Sequence, residues 1–428
     1  MQALKGTHDI LPEEVYKWDY MEGVIRDVCA RYGYKEIRTP IIEATELFQR
    51  GIGDTTDVVT KEMYTFTDRG NRSVTLRPEN TASAVRAYLE HKMYGDQQVH
   101  KMFYIGSMFR YDRPQAGRYR EFHQFGLEVL GASSPLADAE VIAMACEIFH
   151  KLGLKDLDLH LNSIGDKNCR PAYRKKLIEF FEGKKDHTID RKKDQLCDDC
   201  RERLYKNPLR ILDCKEEGCR RASVGAPEIT DYLCDECHRK FEAVKHYLDS
   251  LGISYTVDPR LVRGLDYYTN TAFEIQYPPL GAQSAVCGGG RYDGLVEEIG
   301  GPSTPGIGFA IGLERLLLAL EMQNLIPAPK AQKRVYIAAL GEDAVAEGFK
   351  IQEELRGLGV VTDMDLQGRS LKGQMKQAGK LASQFTVIIG SNELEKGAAA
   401  VKNMDTGTQQ DIPFADIAGY IAKEEHNS

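Results

Sequence analysis

The sequence predicts an α+β protein with more than one domain, and three observations support this prediction. The chain has 428 residues, which is more than one domain usually contains. Helix and strand patterns mix irregularly in residues 1–325, whereas a regular β-α-β-α-β alternation occupies residues 332–428. Between them, the prolines of residues 326–331 predict a stiff linker.

The first domain is predicted to begin with a helix that starts at Pro12 and ends at Gly33, since proline suits a first helical position and glycine suits the residue after a helix. Residues 34–43 predict a strand interrupted by Pro40. Two hairpins follow, with a helix capped by Asn80 or Thr81 between them. Their strands are predicted at residues 62–67, 73–77, 102–110 and 121–130.

Residues 166–250 differ in composition, because lysines cluster there and β-branched residues become scarce. They predict an inserted, mostly helical module. Strand and glycine patterns return after it and end in an apolar helix at residues 312–322. In the second domain, the alternation predicts a small parallel or mixed sheet. Its strands are predicted at residues 334–340, 360–365 and 385–390, and its helices at 344–358 and 371–381.

Charge and cysteine usage exclude several classes of protein. Lys and Arg number 56 against 64 Asp and Glu, a formal net charge of -8, so nucleic acid could dock only on local basic patches. The sequence has no apolar run of 18 residues and no basic-then-apolar start, so we expect neither a membrane span nor a secretory signal. Six of the ten cysteines crowd between Cys197 and Cys237, a poor disulfide framework that favours the reducing cytoplasm.

Common nucleotide and metal motifs are missing. The sequence contains no GxxxxGK[ST] phosphate loop and no HExxH pair. Gly306-Ile307-Gly308 is followed by Gly312, which gives GxGxxxG rather than the dinucleotide-binding spacing. These glycines are therefore expected to permit close backbone packing.

The arginines of the sequence indicate a site that binds phosphate groups. Arg110, Arg113, Arg118 and Arg120 lie within eleven residues, close to Phe122. Guanidinium groups bind phosphoryl oxygens bidentately and an aromatic ring stacks on a base, although a charged hairpin tip is often only solvated.

Further arginines occur in three other strings. Arg263 stands among apolar residues beside Tyr267 and Tyr268, where a half-buried cation needs an anionic partner. Arg291 follows the three glycines 288–290, and Arg315 opens the apolar helix.

Five strings together resemble histidyl-tRNA synthetases. They are TLRPENTA (residues 75–82), FRYDRPQAGRYREFHQFGLEVLG (109–131), LVRGLDYYT (261–269), GGGRYDGL (288–295) and GIGFAIGLERL (306–316). The resemblance covers nearly the whole chain in order, and the third and fourth strings are the histidine-specific ones. One departure is Arg110-Tyr111-Asp112, where the family commonly has Arg-x-Glu.

The resemblance implies the class II synthetase fold, an antiparallel sheet flanked by helices, with an inserted helical domain and a C-terminal anticodon-binding domain. It implies a homodimer formed around the Pro40 segment, and a cytoplasmic enzyme that ligates histidine to its tRNA with ATP. The competing interpretations are a catalytically inactive relative that regulates ATP phosphoribosyltransferase, another class II synthetase and a structural RNA-binding protein. The retained arginines, the C-terminal domain and LVRGLDYYT argue against them.

By resemblance, two arginines are catalytic and stabilise the α-phosphate: Arg110 and Arg263. The residues expected to bind histidine are Glu79, Thr81, Gln124, Glu128, Tyr267, Tyr268 and Tyr292. Those expected to bind ATP are Arg110, Arg118, Phe122 and Arg315. Because the alternating strand at 122–130 puts Gln124, Gly126 and Glu128 on one face, a shared site is favoured.

The chemistry agrees with this composition. A carboxylate is already ionised at neutral pH, so its attack on phosphorus needs no general base. Catalysis then depends on positioning and on neutralising phosphoryl charge, which arginines and Mg²⁺ provide.

Contacts with tRNA are expected at two places. Lys372, Lys376 and Lys380 recur every four residues on a predicted helix, with Arg369 just before it, and form one basic face. Without the resemblance, an ordinary solvated face would be the simpler interpretation. Arg113 and Gln115 in the hairpin loop are the residues expected to read the extra guanosine of this tRNA.

Two CxxC pairs predict structural zinc. Their spacing suits tetrahedral coordination by Cys197, Cys200, Cys234 and Cys237, with Cys214 and Cys219 between the pairs. The synthetase reaction does not itself require this ion.

Overall fold

The computed structural model describes residues 1–53, 56–96, 98–183, 192–329 and 334–426. The chain forms two compact units, Met1–Pro327 and Ala328–Ser428. Within the described residues, none of the helices is long and apolar enough to cross a membrane.

The first unit contains a large sheet and a small one. In chain order the strands are β1 (Lys35–Glu36), β2 (Ile42–Ala44), β3 (Tyr64–Thr67), β4 (Ser73–Leu76), β5 (His100–Phe109), β6 (Glu121–Leu130), β7 (Asp158–Ser163), β8 (Thr256–Val257), β9 (Thr269–Gln276), β10 (Ala285–Arg291) and β11 (Gly306–Gly312). The large sheet has the order β1-β5-β6-β11-β10-β9-β7-β8, and the small sheet has the order β2-β4-β3. Within the large sheet, each neighbouring pair in the run β5-β6-β11-β10-β9-β7 is antiparallel. This confirms the predicted α+β fold with an antiparallel sheet.

Ten helices of this unit lie within the described residues. They are α1 (Pro12–Arg31), α2 (Thr45–Ile52), α3 (Thr81–Glu90), α4 (Pro135–Lys151), α5 (Arg170–Glu182), α6 (Asp198–Lys206), α7 (Glu217–Ala222), α8 (Asp235–Ser250), α9 (Leu295–Glu298) and α10 (Leu313–Met322). Helix α1 buries Met21, Ile25 and Val28, whose spacing puts them on one face, and this face joins the core beneath the sheet.

Two local predictions in this unit were wrong. Residues 34–43 form two strands in different sheets, since Pro40 lacks an N–H group and the chain leaves β1, which pairs with β5, to reach β2, which pairs with β4. The strand predicted from residue 62 begins at Tyr64, after a helical turn, Val58–Glu62. The glycine-rich run before α10 forms the buried strand β11, and a Cβ on Gly308 would overlap the backbone oxygen of Leu127, so close backbone packing is found there as predicted.

The inserted segment is helical, but only its first part has a core of its own. That core includes Tyr173, Leu177 and Leu204. Helix α8 instead packs Phe241 and Val244 into the main core.

Ionic contacts attach the inserted segment to the turn at Val58–Glu62. Arg203 Nη2 lies 2.6 Å and Arg210 Nη2 lies 3.6 Å from Oδ2 of Asp57. Lys61 Nζ lies 3.2 Å from Oδ2 of Asp199. The segment is therefore held to the rest of the unit by charge as well as by packing.

The second unit has a mixed sheet. The sequence pattern predicted either a parallel or a mixed sheet, and the second alternative is found. Its elements are β12 (Arg334–Ala339), α11 (Glu342–Gly357), β13 (Val361–Met364), α12 (Leu371–Lys380), β14 (Phe385–Ile389), α13 (Ser391–Lys396), β15 (Ala398–Asn403), β16 (Gln409–Pro413) and α14 (Ile417–His426). Strands β13, β12 and β14 are parallel, and β15 and β16 continue the sheet antiparallel.

Candidate active site

A cavity of about 200 Å³ opens on the large sheet. All nine residues expected to bind histidine or to be catalytic line it: Glu79, Thr81, Arg110, Gln124, Glu128, Arg263, Tyr267, Tyr268 and Tyr292. Arg110 and Arg263, which are far apart in the chain, therefore face one cavity. The volume lies below the range of about 300–1,000 Å³ usual for drug-sized ligands, so the cavity suits a small metabolite.

Strand pairing explains how one wall of the cavity forms. Gln124, Gly126 and Glu128 alternate along β6, so their side chains share a face. Tyr104 on β5 pairs with Gly126, and Gly308 on β11 pairs with Glu128. A Cβ on Gly308 would lie 3.1 Å from Cδ of Glu128 and would overlap its carboxylate, so this glycine leaves room for the carboxyl group.

Glu128 is a buried carboxyl group held by tyrosines. The hydroxyl of Tyr104 donates to its Oε1 at 3.1 Å, and the hydroxyl of Tyr292 donates to its Oε2. Burial raises the pKa of Glu128 to about 8, although hydrogen bonds from Tyr292, Thr81 and Tyr104 offset part of the rise. A pKa of about 8 keeps Glu128 largely protonated at neutral pH.

A second buried carboxylate lies at the start of α3. Glu79 accepts hydrogen bonds from the backbone N–H of Thr81 at 2.6 Å and of Ala82 at 3.0 Å, which satisfies donors that a helix start leaves free. Burial raises the pKa of Glu79, and these N–H groups partly oppose the rise. Oε1 of Gln124 is buried and accepts no hydrogen bond from the described part of the chain. The cavity thus contains oxygen acceptors suited to an ammonium group.

Arg263 is fixed between two strands. Its Nη1 lies 2.7 Å from Oε2 of Glu274 on β9, and its guanidinium lies 5.9 Å from the ring centre of Tyr268. Burial alone would lower the pKa of Arg263, but Tyr268 and Glu274 raise it above its ordinary value. Glu274 pairs with Gly288 on β10, and the guanidinium occupies the space that a side chain at Gly288 would fill.

Arg110 also lines the cavity. Its Nε donates to the carbonyl oxygen of Pro78 at 2.8 Å, and its guanidinium lies 5.5 Å from the ring centre of Phe122. Burial lowers the pKa of Arg110. Two cations that line one cavity can bind the oxygens of one phosphoryl group.

The other residues expected to bind ATP lie outside the cavity lining. Arg315 donates to the carbonyl oxygens of Gly117 at 3.3 Å and Ala285 at 2.8 Å, which ties α10 to the hairpin loop. Arg118 forms an ion pair with Asp112 inside that loop. The ring of Phe122 lies beside the guanidinium of Arg110, which lines the cavity.

The residues expected to contact tRNA are on the surface. Arg113 and Gln115 are exposed in the hairpin loop. Lys372, Lys376 and Lys380 are exposed on one face of α12, whose opposite face buries Gln374 and Ala378. Arg369 is paired with Asp365 at 2.8 Å.

Two important residues escaped the sequence analysis, namely Tyr104 and Glu274. A signal for Tyr104 exists, because Gly126 interrupts a strand of larger residues, and a glycine there leaves space for a large cross-strand neighbour. Glu274 gave no local signal, since its role depends on the pairing of β9 with β10.

The sequence pattern predicted one zinc site formed by both CxxC pairs, and this grouping was wrong because the two pairs lie in different clusters. The pair Cys197 and Cys200 lies with Cys214 and Cys219, whereas the pair Cys234 and Cys237 lies with Asp166 and Cys169. Local spacing identified both pairs but could not show which distant cysteine joins which pair.

Comparisons with known proteins agree with this geometry. The histidyl-tRNA synthetase profile matches residues 6–316, and the anticodon binding domain profile matches residues 334–424. A curated relative from Desulforamulus reducens, described as histidine–tRNA ligase, is 55% identical over 97% of this chain and 98% of its own length. The crystal structure of apo Staphylococcus aureus histidyl-tRNA synthetase is 44% identical, with a TM-score of 0.81 over 99% of this chain and 100% of that one.

A more distant structure concerns one of the competing interpretations. It comes from Bacillus halodurans and is described as an ATP phosphoribosyltransferase regulatory subunit/histidyl-tRNA synthetase. It is 20% identical, with a TM-score of 0.65 over 91% of this chain and 98% of that one. At this identity the likeness shows a shared fold alone.

Proposed function

Because the chain belongs to the histidyl-tRNA synthetase family, we propose that the cavity on the large sheet is where it joins histidine to ATP. The chain is a class II aminoacyl-tRNA synthetase of translation, which activates L-histidine to histidyl-adenylate, releases pyrophosphate and transfers histidine to the 3′ end of its tRNA. The roles of individual side chains follow from the contacts of the cavity.

Histidine enters with its ammonium group toward Glu79, Thr81 and Gln124. The buried, unpartnered Oε1 of Gln124 supports this orientation, since an ammonium donor satisfies it. The imidazole ring, which carries one donor and one acceptor nitrogen, lies toward Glu128 and Tyr268. A look-alike side chain without these nitrogens forms no hydrogen bond with the buried carboxyl group, which penalises its binding relative to histidine.

Tyrosine rings enclose the imidazole. The ring centres of Tyr267 and Tyr268 are 4.6 Å apart, and those of Tyr267 and Tyr292 are 5.7 Å apart. Together they exclude water from the side of the ring.

Arg110 and Arg263 act on the α-phosphate from opposite sides. The histidine carboxylate attacks phosphorus, the bond to pyrophosphate breaks, and the two guanidinium groups stabilise the charge that develops on the phosphoryl oxygens. Glu274 positions Arg263 through their 2.7 Å ion pair. Arg118, Phe122 and Arg315 contribute to the ATP site from the hairpin and α10.

Mg²⁺ is the divalent ion that we assign to ATP. It is bound largely by substrate phosphates and waters, so it needs no dedicated cage of side chains, and it neutralises phosphate charge. Zinc has no part in this chemistry, because the cysteine clusters do not line the cavity.

The tRNA contacts are Arg113 and Gln115 at the acceptor end, and Arg369, Lys372, Lys376 and Lys380 in the anticodon-binding unit. Exposure of the three lysines on one face of α12 supports this assignment. Their phosphate contacts make tRNA binding sensitive to salt.

A homodimer in the cytoplasm completes the proposal. Ile41, Ile42 and Phe66 are exposed apolar residues on or next to the small sheet, and such a group commonly marks an interface between subunits. Light scattering of the purified protein measures the mass directly, and a value near 48.1 kDa contradicts the dimer.

The convergence of Arg110 and Arg263 on the cavity that contains Glu128 is the observation that supports the proposed site most strongly. The test is exchange of labelled pyrophosphate into ATP with each of the twenty amino acids. We expect exchange with histidine alone. Arg263→Ala should reduce exchange about 30- to 900-fold, the equivalent of about 2–4 kcal/mol, while histidine still binds.

Arg260→Ala is the matched control, because this arginine is exposed three residues earlier in the same segment. Normal exchange by Arg263→Ala would refute the assignment of that residue. Equal exchange with several amino acids would instead refute the histidine site.

A further inference from the structure

The inserted segment contains two separate clusters of metal-ligating side chains. In the first, the sulfur atoms of Cys197, Cys200, Cys214 and Cys219 all lie within 4.8 Å of one another. In the second, the same is true of ligand atoms from Asp166, Cys169, Cys234 and Cys237. None of the eight residues lines the histidine cavity.

The first cluster has the dimensions of a tetrahedral thiolate site. Zinc binds sulfur at about 2.3 Å, so sulfur atoms around one ion lie about 3.8 Å apart. The Sγ atoms of Cys197 and Cys214 are 3.9 Å apart, too far for a disulfide and close to that spacing. All four cysteines are free thiols, and Cys200 and Cys219 are fully buried.

Both CxxC pairs are built in the same way, at the start of a helix. Cys197 is the residue that precedes α6, with Cys200 in its first turn, and Cys234 is the residue that precedes α8, with Cys237 in its first turn. The positive end of a helix stabilises thiolates.

Each pair also shares a backbone hydrogen bond with its distant partner. The N–H of Cys197 donates to Sγ of Cys219 at 3.2 Å, and the N–H of Cys234 donates to Sγ of Cys169 at 3.1 Å. Such bonds orient the sulfur ligands of a metal.

The second cluster is positioned by a tight turn. Asp166 accepts hydrogen bonds from the N–H of Asn168 at 2.8 Å and of Cys169 at 3.2 Å. Gly165 has a φ of +62°, and a Cβ there would lie 2.7 Å from Cβ of Cys169, so only glycine lets the turn place Cys169 in the cluster.

We propose that the inserted segment holds two Zn²⁺ ions, one bound by Cys197, Cys200, Cys214 and Cys219, and the other by Asp166, Cys169, Cys234 and Cys237. Zinc fits both sets, because thiolate sulfur and carboxylate oxygen are its ordinary ligands and four ligands close a structural site.

A structural role follows from the size of the local core. Helices α6 and α7 have nine and six residues, and ten buried residues among those that the structure describes form the separate core of this segment. Small cores with short helices usually need a metal or a disulfide to be stable. The first ion therefore stabilises the helical part of the segment.

A chain of contacts connects the second zinc site to the wall of the histidine cavity. Sγ of Cys237 lies 3.1 Å from Oδ1 of Asn270, and the N–H of Asn270 donates to the carbonyl oxygen of Gly165 at 2.9 Å. Asn270 belongs to β9, two residues after Tyr268. Loss of this ion should therefore loosen the wall that carries Tyr267 and Tyr268.

The test is metal analysis of the full chain, purified without chelators and measured by inductively coupled plasma mass spectrometry. We expect two zinc atoms per chain. A Cys197→Ser/Cys200→Ser variant and a Cys234→Ser/Cys237→Ser variant should each retain one, and Cys146→Ser, a cysteine outside both clusters, should retain two. The second variant alone should raise the KM for histidine.

A second measurement avoids variants that do not fold. Co²⁺ alone, added to zinc-depleted wild-type protein, should give the visible absorption of tetrahedral thiolate coordination and should saturate at two equivalents. Less than stoichiometric zinc, iron in its place, or a mass lowered by disulfide formation overturns the proposal. A single zinc that both variants lose overturns the division into two sites. The zinc content, the cobalt absorption and the protein mass do not depend on synthetase activity.

Discussion

Replacing Gly288 by alanine should displace Arg263 without unfolding the protein. A Cβ at this position would overlap Nη2 of Arg263 and would lie 2.5 Å from its guanidinium carbon. Ordinary contact between heavy atoms is about 3.5 Å, so the guanidinium must move by about 1 to 1.5 Å. Since it is the far end of a flexible side chain, the move costs little stability.

The same move should be expensive for catalysis. A displacement of about 1 Å at a reacting centre can cost about 100-fold in rate, the equivalent of about 2.7 kcal/mol. The displaced group would also leave its 2.7 Å ion pair with Glu274. We therefore expect the kcat of histidine-dependent pyrophosphate exchange to fall about 100-fold in Gly288→Ala, with a small change in the KM for histidine.

Gly312→Ala is the control. Gly312 ends a neighbouring strand of the same sheet, and a Cβ there meets no atom within 4 Å. It should keep wild-type kcat, and both variants should unfold within a few degrees of wild type. Wild-type exchange by Gly288→Ala would refute the argument that the position of this guanidinium controls the reaction.

Three further outcomes are expected. Because burial raises the pKa of Glu128 from 4.5 to about 8, the folded state binds this proton more tightly than the unfolded state does, and stability falls as pH rises from about 4.5 to about 8. The stability of Glu128→Gln relative to wild type should grow by about 2–3 kcal/mol between pH 6 and pH 9 in urea unfolding, and parallel pH profiles would contradict this. Arg291→Met should destabilise the first unit by about 3–5 kcal/mol. Arg291 Nη2 lies 2.9 Å from Asp138 Oδ1, so the substitution would leave the carboxylate of Asp138 buried without its cation. An unchanged unfolding midpoint would exclude this. Gly308→Ala should yield insoluble or markedly destabilised protein, since the Cβ of the alanine would overlap the backbone oxygen of Leu127. A soluble variant with wild-type melting behaviour would show that the two strands can separate at this point.

Periodicity supported one wall of the site that the family resemblance implied. Alternation along β6 put Gln124 and Glu128 on one face, and both line the cavity. Helix starts were also readable, because Pro12 begins α1 as proline chemistry predicts. These features depend on neighbours in the chain, which a sequence displays directly.

Features that depend on pairing between distant segments were harder to predict. Arg110 and Arg263 came together only through the family resemblance, since no local pattern relates β5 to the segment before β9. Glu274 and Tyr104 act through cross-strand neighbours, which local sequence does not specify. The same reason explains the cysteines: the spacing marked each CxxC pair but carried no information on its partners across the segment.

The charges that fasten the inserted segment to Asp57 restrict how relatives can be recombined. The inserted segment supplies the two cations Arg203 and Arg210, which both contact the carboxylate of Asp57. In the third contact the charges are reversed, because Lys61 is the cation and Asp199 of the inserted segment is the anion. A chimaera that takes residues 166–250 from one parent and residues 57–61 from another would separate these partners wherever the parents differ. Crossover points for shuffled enzymes should therefore keep the two stretches from the same parent.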